Sequence, residues 1–126
     1  MKKLALLIFM IFLPLTACKV DKASVEQGQE FGKTTSIRGC TNQAFQYYEA
    51  CKVSDCRIVP SDFAKGCVVT AKIDKVICSD IPIGSTIKSV EWMDTKCKDH
   101  SDPKTCQGIL KHTVGRCIAE GPEEEK

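Results

Sequence analysis

Hydrophobic and polar positions divide the chain into four stretches. Residues 4–15 are almost entirely apolar, residues 19–38 are polar without apolar periodicity, and from residue 40 to residue 118 apolar residues recur at helical spacing. The final stretch is rich in glutamate. We therefore predict a flexible tether within residues 18–38, a cysteine-rich helical domain over residues 39–119 and a solvated acidic tail over residues 120–126.

Four helices are predicted within the domain, which makes the fold mainly α. The first covers about residues 41–50, and the second begins at the Ser-Asp pair of residues 61–62. The β-branched run over residues 68–77 allows a strand there instead of the second half of that helix. A short third helix is expected over residues 85–98, and Ser-Asp-Pro opens the fourth, over residues 101–118.

The first residues have the pattern of a secretory signal. Lys2 and Lys3 precede the apolar run, which is shorter than the roughly 20 residues that a membrane span needs. The next residues, Leu15-Thr16-Ala17-Cys18, resemble the bacterial lipobox. The alternative is an ordinary signal peptide followed by a cysteine that is there by chance.

The lipobox resemblance implies a processing pathway. Residues 1–17 would be a cleaved signal peptide, and Cys18 would become an acylated N-terminus carrying fatty chains such as palmitate. We therefore expect a lipoprotein of the cell envelope, held by membrane lipid at the periplasmic face of the outer membrane. Loss of Lys2 and Lys3 lowers the 18 basic residues to 16, equal to the 16 acidic ones. This balance argues against nucleic acid as a partner and leaves membrane attachment to the lipid.

The cysteine count supports export independently. The chain has nine cysteines, and lipidation of Cys18 leaves an even number for a disulfide framework. Three intervals of eleven residues occur among those eight: 40 to 51, 67 to 78 and 106 to 117. Eleven residues turn an α-helix by about 1100°, close to three full turns, so each pair is expected on one helix face.

Pairing of the cysteines follows from an antiparallel hairpin of the first two helices. One register of that hairpin brings two pairs of cysteines together at once. The last two predicted helices form a second hairpin, and the remaining four cysteines are expected to pair near its turn and between the two hairpins. The predicted disulfides are Cys51–Cys67, Cys40–Cys78, Cys97–Cys106 and Cys56–Cys117. The result would be a small, disulfide-stapled helical-hairpin bundle.

No catalytic motif is present in the sequence. It contains neither a Gly-rich phosphate loop, nor His-Glu-x-x-His, nor Gly-x-Ser-x-Gly. The two histidines, His100 and His112, have no evident nucleophile beside them, and no Cys-x-x-Cys pair suggests a metal or a reactive thiol. We therefore predict a binding protein, not an enzyme, without cofactor or metal.

A longer segment resembles the LprI-type lysozyme-inhibitor domain. Cys67 is followed after a helical interval by Ile77-Cys78-Ser79-Asp80, and a Trp, two cysteines and an Arg follow at Trp92, Cys97, Cys106 and Arg116. The Asp, Leu and Tyr that the family carries after Ile-Cys-Ser-Asp are missing here. The resemblance implies inhibition of lysozyme, whose cleft uses two carboxylates. A basic loop around the third disulfide is the candidate contact, with the residues Lys96, Lys98, His100 and Lys104.

Two other functions fit an exported, cysteine-rich chain. One is an immunity or conjugative-exclusion lipoprotein that neutralises a toxin or a mating-apparatus protein, which an adjacent toxin gene or transfer operon would indicate. The other is a structural accessory of an envelope complex. Its docking residues would be aromatic: Phe45, Tyr47, Tyr48 and Trp92.

Overall fold

Six helices form the fold in the computed structural model, which describes residues 20–52 and 57–120. They are α1 (Lys22–Gly32), α2 (Ile37–Cys51), α3 (Pro60–Thr70), α4 (Lys75–Asp80), α5 (Thr86–Cys97) and α6 (Pro103–Glu120). No strand occurs in the described ranges, and the one β-type pairing there is an isolated parallel bridge between Ser36 and Lys72. The predicted mainly-α, disulfide-stapled fold class is therefore confirmed. The predicted signal peptide, Cys18 and Cys56 lie outside the described residues, as does the acidic tail beyond Glu120.

Short polar side chains cap the N-termini of three helices, α2, α4 and α5. The hydroxyl of Ser36 accepts a hydrogen bond from the Gly39 N–H at the start of α2, and Ser85 does the same for the Lys88 N–H at the start of α5. A carboxylate oxygen of Asp74 accepts hydrogen bonds from the N–H groups of Val76 and Ile77 at the start of α4. These caps satisfy N–H groups that have no partner within the helix.

The prediction of a tether over residues 18–38 is wrong from Lys22 onward. Residues 22–32 form α1, and its contact with α3 is closer than ordinary side-chain packing allows. A Cβ at Gly28 would collide with the carbonyl oxygen of Phe63, and a Cβ at Gly66 would collide with the carbonyl oxygen of Val25. The glycines that suggested flexibility are therefore needed for backbone contact between two helices.

α1 and α3 run parallel to each other. At their start, the N–H of Asp21 donates to Oδ2 of Asp62 over 2.9 Å. Nearer their end, the hydroxyl of Thr70 donates to the carbonyl of Gln29 over 2.7 Å. The two helices are thus joined by hydrogen bonds near both ends of their contact.

The remaining long helices alternate in direction. α6 is parallel to α3, because α2 runs antiparallel to both: its Thr41 contacts Thr113 of α6, and its Tyr48 contacts Asp102 just before α6. α2 is antiparallel to α3, and α5 is antiparallel to α6, where Gln107 donates to Asp94 over 2.6 Å. We call the end at which α1, α3 and α6 begin, and at which α2 and α5 end, the basal end of the bundle.

The core lies between α2, α3 and α6. It is built from aliphatic and aromatic side chains together with the sulfurs, and includes Ile37, Ala44, Phe63, Val68, Ile109 and Val114. One polar contact is buried within it, a hydrogen bond of 2.7 Å between the hydroxyls of Thr41 and Thr113. Burial of such a pair is tolerated because each hydroxyl has a partner.

The predicted second helix breaks in the middle, and this changes the disulfides. α3 ends at Thr70, Ala71 is extended, and Lys72 bonds the segment before α2: its N–H donates to Thr35, and its carbonyl accepts from Ile37. The helical face expected to carry residues 67 and 78 together therefore does not exist.

Three of the four predicted pairs are consequently wrong. The structure contains Cys40–Cys67 and Cys78–Cys117, in place of Cys51–Cys67 and Cys40–Cys78. Cys117 is used by Cys78, so the predicted pair with Cys56 is excluded as well. Cys51 is disulfide-bonded. The Cys97–Cys106 pair is confirmed.

Candidate functional site

The turn between α5 and α6 is rigidly held at the basal end. Cys97 and Cys106 close it, and Asp102 accepts hydrogen bonds from the N–H and the hydroxyl of Thr105 at the start of α6. These bonds stabilise the charged carboxylate and lower the pKa of Asp102. Tyr48 of α2 fixes the turn from the other side: its hydroxyl accepts from the Asp102 N–H over 2.9 Å and contacts the Ser101 hydroxyl at 3.0 Å.

The four predicted partner-binding residues surround this turn, but they do not share one environment. Lys96 lies 3.7 Å from a carboxylate oxygen of Asp80 and 5.5 Å from the centre of the Trp92 ring. His100 is half-buried, with its ring centre 5.4 Å from that of Phe45. Lys96 and His100 are therefore both held against the protein's own side chains.

Lys98 and Lys104 are different, because both are exposed. Lys98 caps the end of α5, and Lys104 lies in the first turn of α6. Neither forms an ion pair within residues 20–52 and 57–120. They are the two predicted residues that a partner could reach without breaking an existing contact.

A shallow hollow of about 280 Å³ opens beside the turn, and we call it the Trp92 pocket. Its lining combines apolar side chains with one acid and two basic groups: Phe45, Ile77, Asp80, Trp92, Lys96, His100 and Leu110. The pocket unites Lys96 and His100 with two of the aromatic residues proposed for docking. Tyr48 is buried, and Tyr47 lies on another surface.

That other surface is a groove between α1 and α2, which we call the aromatic groove. It has a volume of about 470 Å³ and is lined by Ala23, Glu26, Gln27, Glu30, Phe31, Tyr47 and Phe63. Phe63 is its floor, with 1 % exposure, whereas Phe31 is 37 % exposed at its edge. The groove was missed because it depends on α1.

One signal in the sequence could have revealed α1. Ser24, Gly28 and Gly32 are spaced four residues apart, and all three are buried. Small residues at this spacing form a stripe along one helix face, where another backbone can approach closely. The polar residues between them form the solvent-exposed side of the helix.

His112 has an environment that keeps it neutral. Partial burial, reinforced by the positive charges of Lys111 and Lys65, lowers its pKa to about 4. Among the described residues no group of three or more His, Cys, Asp or Glu side chains is arranged to hold a metal ion. Arg116, which carries part of the family resemblance, forms an ion pair with Glu120 within α6.

Comparisons with protein-family models, with curated proteins and with solved structures find no match for the chain. None of the helices in the described part of the chain has the length and apolar character needed to cross a bilayer. The lipobox and the resemblance to a lysozyme-inhibitor domain therefore stay predictions.

Proposed function

We propose that this chain is an exported lipoprotein, anchored through acylated Cys18, that binds a protein partner in the cell envelope. The observation that carries the proposal is the state of the cysteines: all seven within the described residues are disulfide-bonded. Disulfides persist in oxidising compartments outside the cytoplasm and stabilise small exported domains. The bonded pairs join α2 to α3, α4 to α6 and α5 to α6.

The position of Cys18 would also orient the domain. Asp21, just before α1, is only three positions further along the chain, so the two residues can be at most about 11 Å apart. An anchor at Cys18 would therefore hold the basal end near the lipid headgroups. The sides of the bundle, with the aromatic groove and the Trp92 pocket, would remain open to a partner.

Acylation is the first point to test. The full chain is expressed in a bacterial host, and the N-terminal peptide from the membrane fraction is examined by mass spectrometry. We expect a peptide that starts at Cys18 and carries fatty chains, and we expect a Cys18→Ser chain to leave the membrane fraction. An unmodified Cys18 in a water-soluble chain would refute the lipoprotein proposal.

Partner binding is tested by cross-linking in the intact envelope. Cells that express the full chain are cross-linked, and captured proteins are identified by mass spectrometry against the Cys18→Ser chain as a control. We expect at least one envelope or extracellular protein that is enriched with the anchored chain. Capture of nothing above the control would contradict a binding role.

Lysozyme inhibition is the partner-specific form of the proposal, favoured by the exposed Lys98 and Lys104 on a disulfide-closed turn. If these residues contact the carboxylates of the lysozyme cleft, Lys98→Glu/Lys104→Glu should abolish inhibition, whereas the control Lys72→Glu/Lys88→Glu should not. Because the anchor holds this turn near the bilayer, the released Cys18→Ser chain should inhibit more strongly than the anchored one. Unchanged lysozyme activity with micromolar chain would exclude this partner.

A further inference from the structure

Three aromatic rings, those of Phe31, Tyr47 and Phe63, line the aromatic groove. The Phe31 and Phe63 ring centres are 5.7 Å apart with planes at 50°, and those of Tyr47 and Phe63 are 5.0 Å apart at 72°. Steep angles are usual between packed aromatic rings, so what distinguishes this cluster is that it borders an open groove. Phe31 is partly exposed, so the hollow is open to solvent.

The charged side chains that line the groove are both acidic. Glu26 and Glu30 are four residues apart on α1, hence on the same helix face, and both line the groove. Glu30 is paired with Lys33 at 2.5 Å, whereas Glu26 has no ion pair within the described part of the chain. None of the described residues that line the groove is basic.

We infer that the aromatic groove binds a basic side chain, an arginine or a lysine, presented by the protein partner. Aromatic faces attract cations through their quadrupole, and a guanidinium can stack on a ring while it pairs with a carboxylate. An anionic group would be repelled by Glu26 and Glu30. An apolar group would remove water from these carboxylates without giving them a partner.

The groove runs up the side of the bundle from Ala23 near the basal end to Phe31, and its acidic lining favours a basic protein partner over a bilayer of anionic phosphates. Phe31 is ten residues beyond Asp21, which puts it about 15 Å along α1 from the basal end. The inference rests on the proposed function in that it names the chemistry by which the partner of the anchored domain is recognised. It also assigns recognition to an acidic surface, not to the basic turn at Lys98 and Lys104.

The test uses the full chain in detergent micelles and two small probes. N-acetylarginine amide carries the cation, and N-acetylcitrulline amide has nearly the same shape without the charge. Nuclear magnetic resonance follows the ring protons of Phe31, Tyr47 and Phe63 during titration. We expect saturable shifts with the arginine probe in the millimolar range, and binding of the citrulline probe that is weaker by about tenfold.

Variants locate the binding site. Glu26→Gln removes one negative charge from the groove without changing its shape, and it should weaken binding of the arginine probe about two- to fivefold. Phe31→Leu keeps an apolar side chain but removes a ring, and it should weaken binding further. Glu91→Gln, on the exposed side of α5, is the matched control and should change nothing.

Three results would overturn the inference: no saturable shift with the arginine probe, equal shifts with citrulline, or shifts centred on Trp92. Each is independent of the lipid anchor. If Cys18 is acylated but the groove does not bind the arginine probe, this inference is wrong and the lipoprotein proposal is unaffected. If the groove binds the arginine probe but Cys18 is never acylated, the lipoprotein proposal is wrong and the groove still binds a basic side chain.

Discussion

The contact between α1 and α3 gives the most demanding test of the fold. Gly28→Ala would place a Cβ against the carbonyl oxygen of Phe63 and 2.8 Å from the backbone nitrogen of Cys67. Both obstacles are main-chain atoms, so no side chain can rotate away, and α1 must shift. Gly115→Ala in α6 is the matched control, because its Cβ would meet no atom within 4 Å.

The two substitutions should change stability in opposite directions. Alanine stabilises a helix by about 1 kcal/mol relative to glycine, so Gly115→Ala should raise the free energy of unfolding by about 0.5–1 kcal/mol. At Gly28 the same gain is opposed by overpacking, which costs about 1–3 kcal/mol in ordinary cores. Because two backbone atoms are involved, we expect a net loss of about 1–2 kcal/mol for Gly28→Ala.

Urea unfolding with the disulfides intact, followed by circular dichroism, measures the difference. With a denaturant slope of about 1–3 kcal/mol per molar urea, the two variants should differ in midpoint by roughly 1 M. Hydrogen exchange should be faster over residues 24–31 in Gly28→Ala alone. If both variants unfold at the same or higher urea than the parent chain, α1 is not packed on α3. Residues 20–38 would then be the tether that their polarity suggested.

Three further changes test other parts of the structure. Tyr48→Phe removes the acceptor for the Asp102 N–H and should cost about 0.5–1.5 kcal/mol in the same urea assay. The pKa of His112 is about 4 in the folded chain and 6.5 in the unfolded chain, so between these values the unfolded chain binds one more proton. The free energy of unfolding should therefore fall as the pH drops from about 6.5 to 4, and it should fall less in His112→Gln. Replacement of both cysteines of a disulfide by serine should lower the free energy of unfolding more when the closed loop is longer. The loss should be about 1 kcal/mol greater for the pair 78–117, with sequence separation 39, than for the pair 97–106, with separation 9. Equal losses from the two pairs would contradict the loop-entropy reasoning.

Local signals in the sequence predicted much of the helical structure. Apolar spacing and cap residues indicated α2, α5 and α6, and proximity along the chain indicated the Cys97–Cys106 bridge. The antiparallel arrangement of α2 and α3 was also expected. These features depend on residues within one helix or one turn, which a sequence pattern records directly.

The register of the hairpin could not be predicted in the same way. The cysteines recur at eleven-residue intervals, so a slide of that length brings Cys40 opposite Cys67 instead of Cys78. Both registers satisfy helical periodicity equally well. The contact made by Lys72 decides between them. Its backbone pairs with residues 35 and 37 at the start of α2, and the helix α3 therefore ends at Thr70. Such a contact between distant segments leaves no periodic signal.

The change from tether to helix alters what the anchored protein can reach. A flexible stretch of about 20 residues would let the domain sample distances of roughly 25 Å from its anchor. With α1 packed on α3, Asp21 can lie at most about 11 Å from Cys18, because it is only three positions further along the chain. If Cys18 is acylated as proposed, the aromatic groove would be held at a nearly fixed height above the lipid, and its partner would have to come to the membrane surface to meet it. Insertion of a Gly-Ser stretch after Cys18 would free the domain, and under this proposal it should increase capture of partners located farther from the bilayer while leaving the arginine affinity of the groove unchanged.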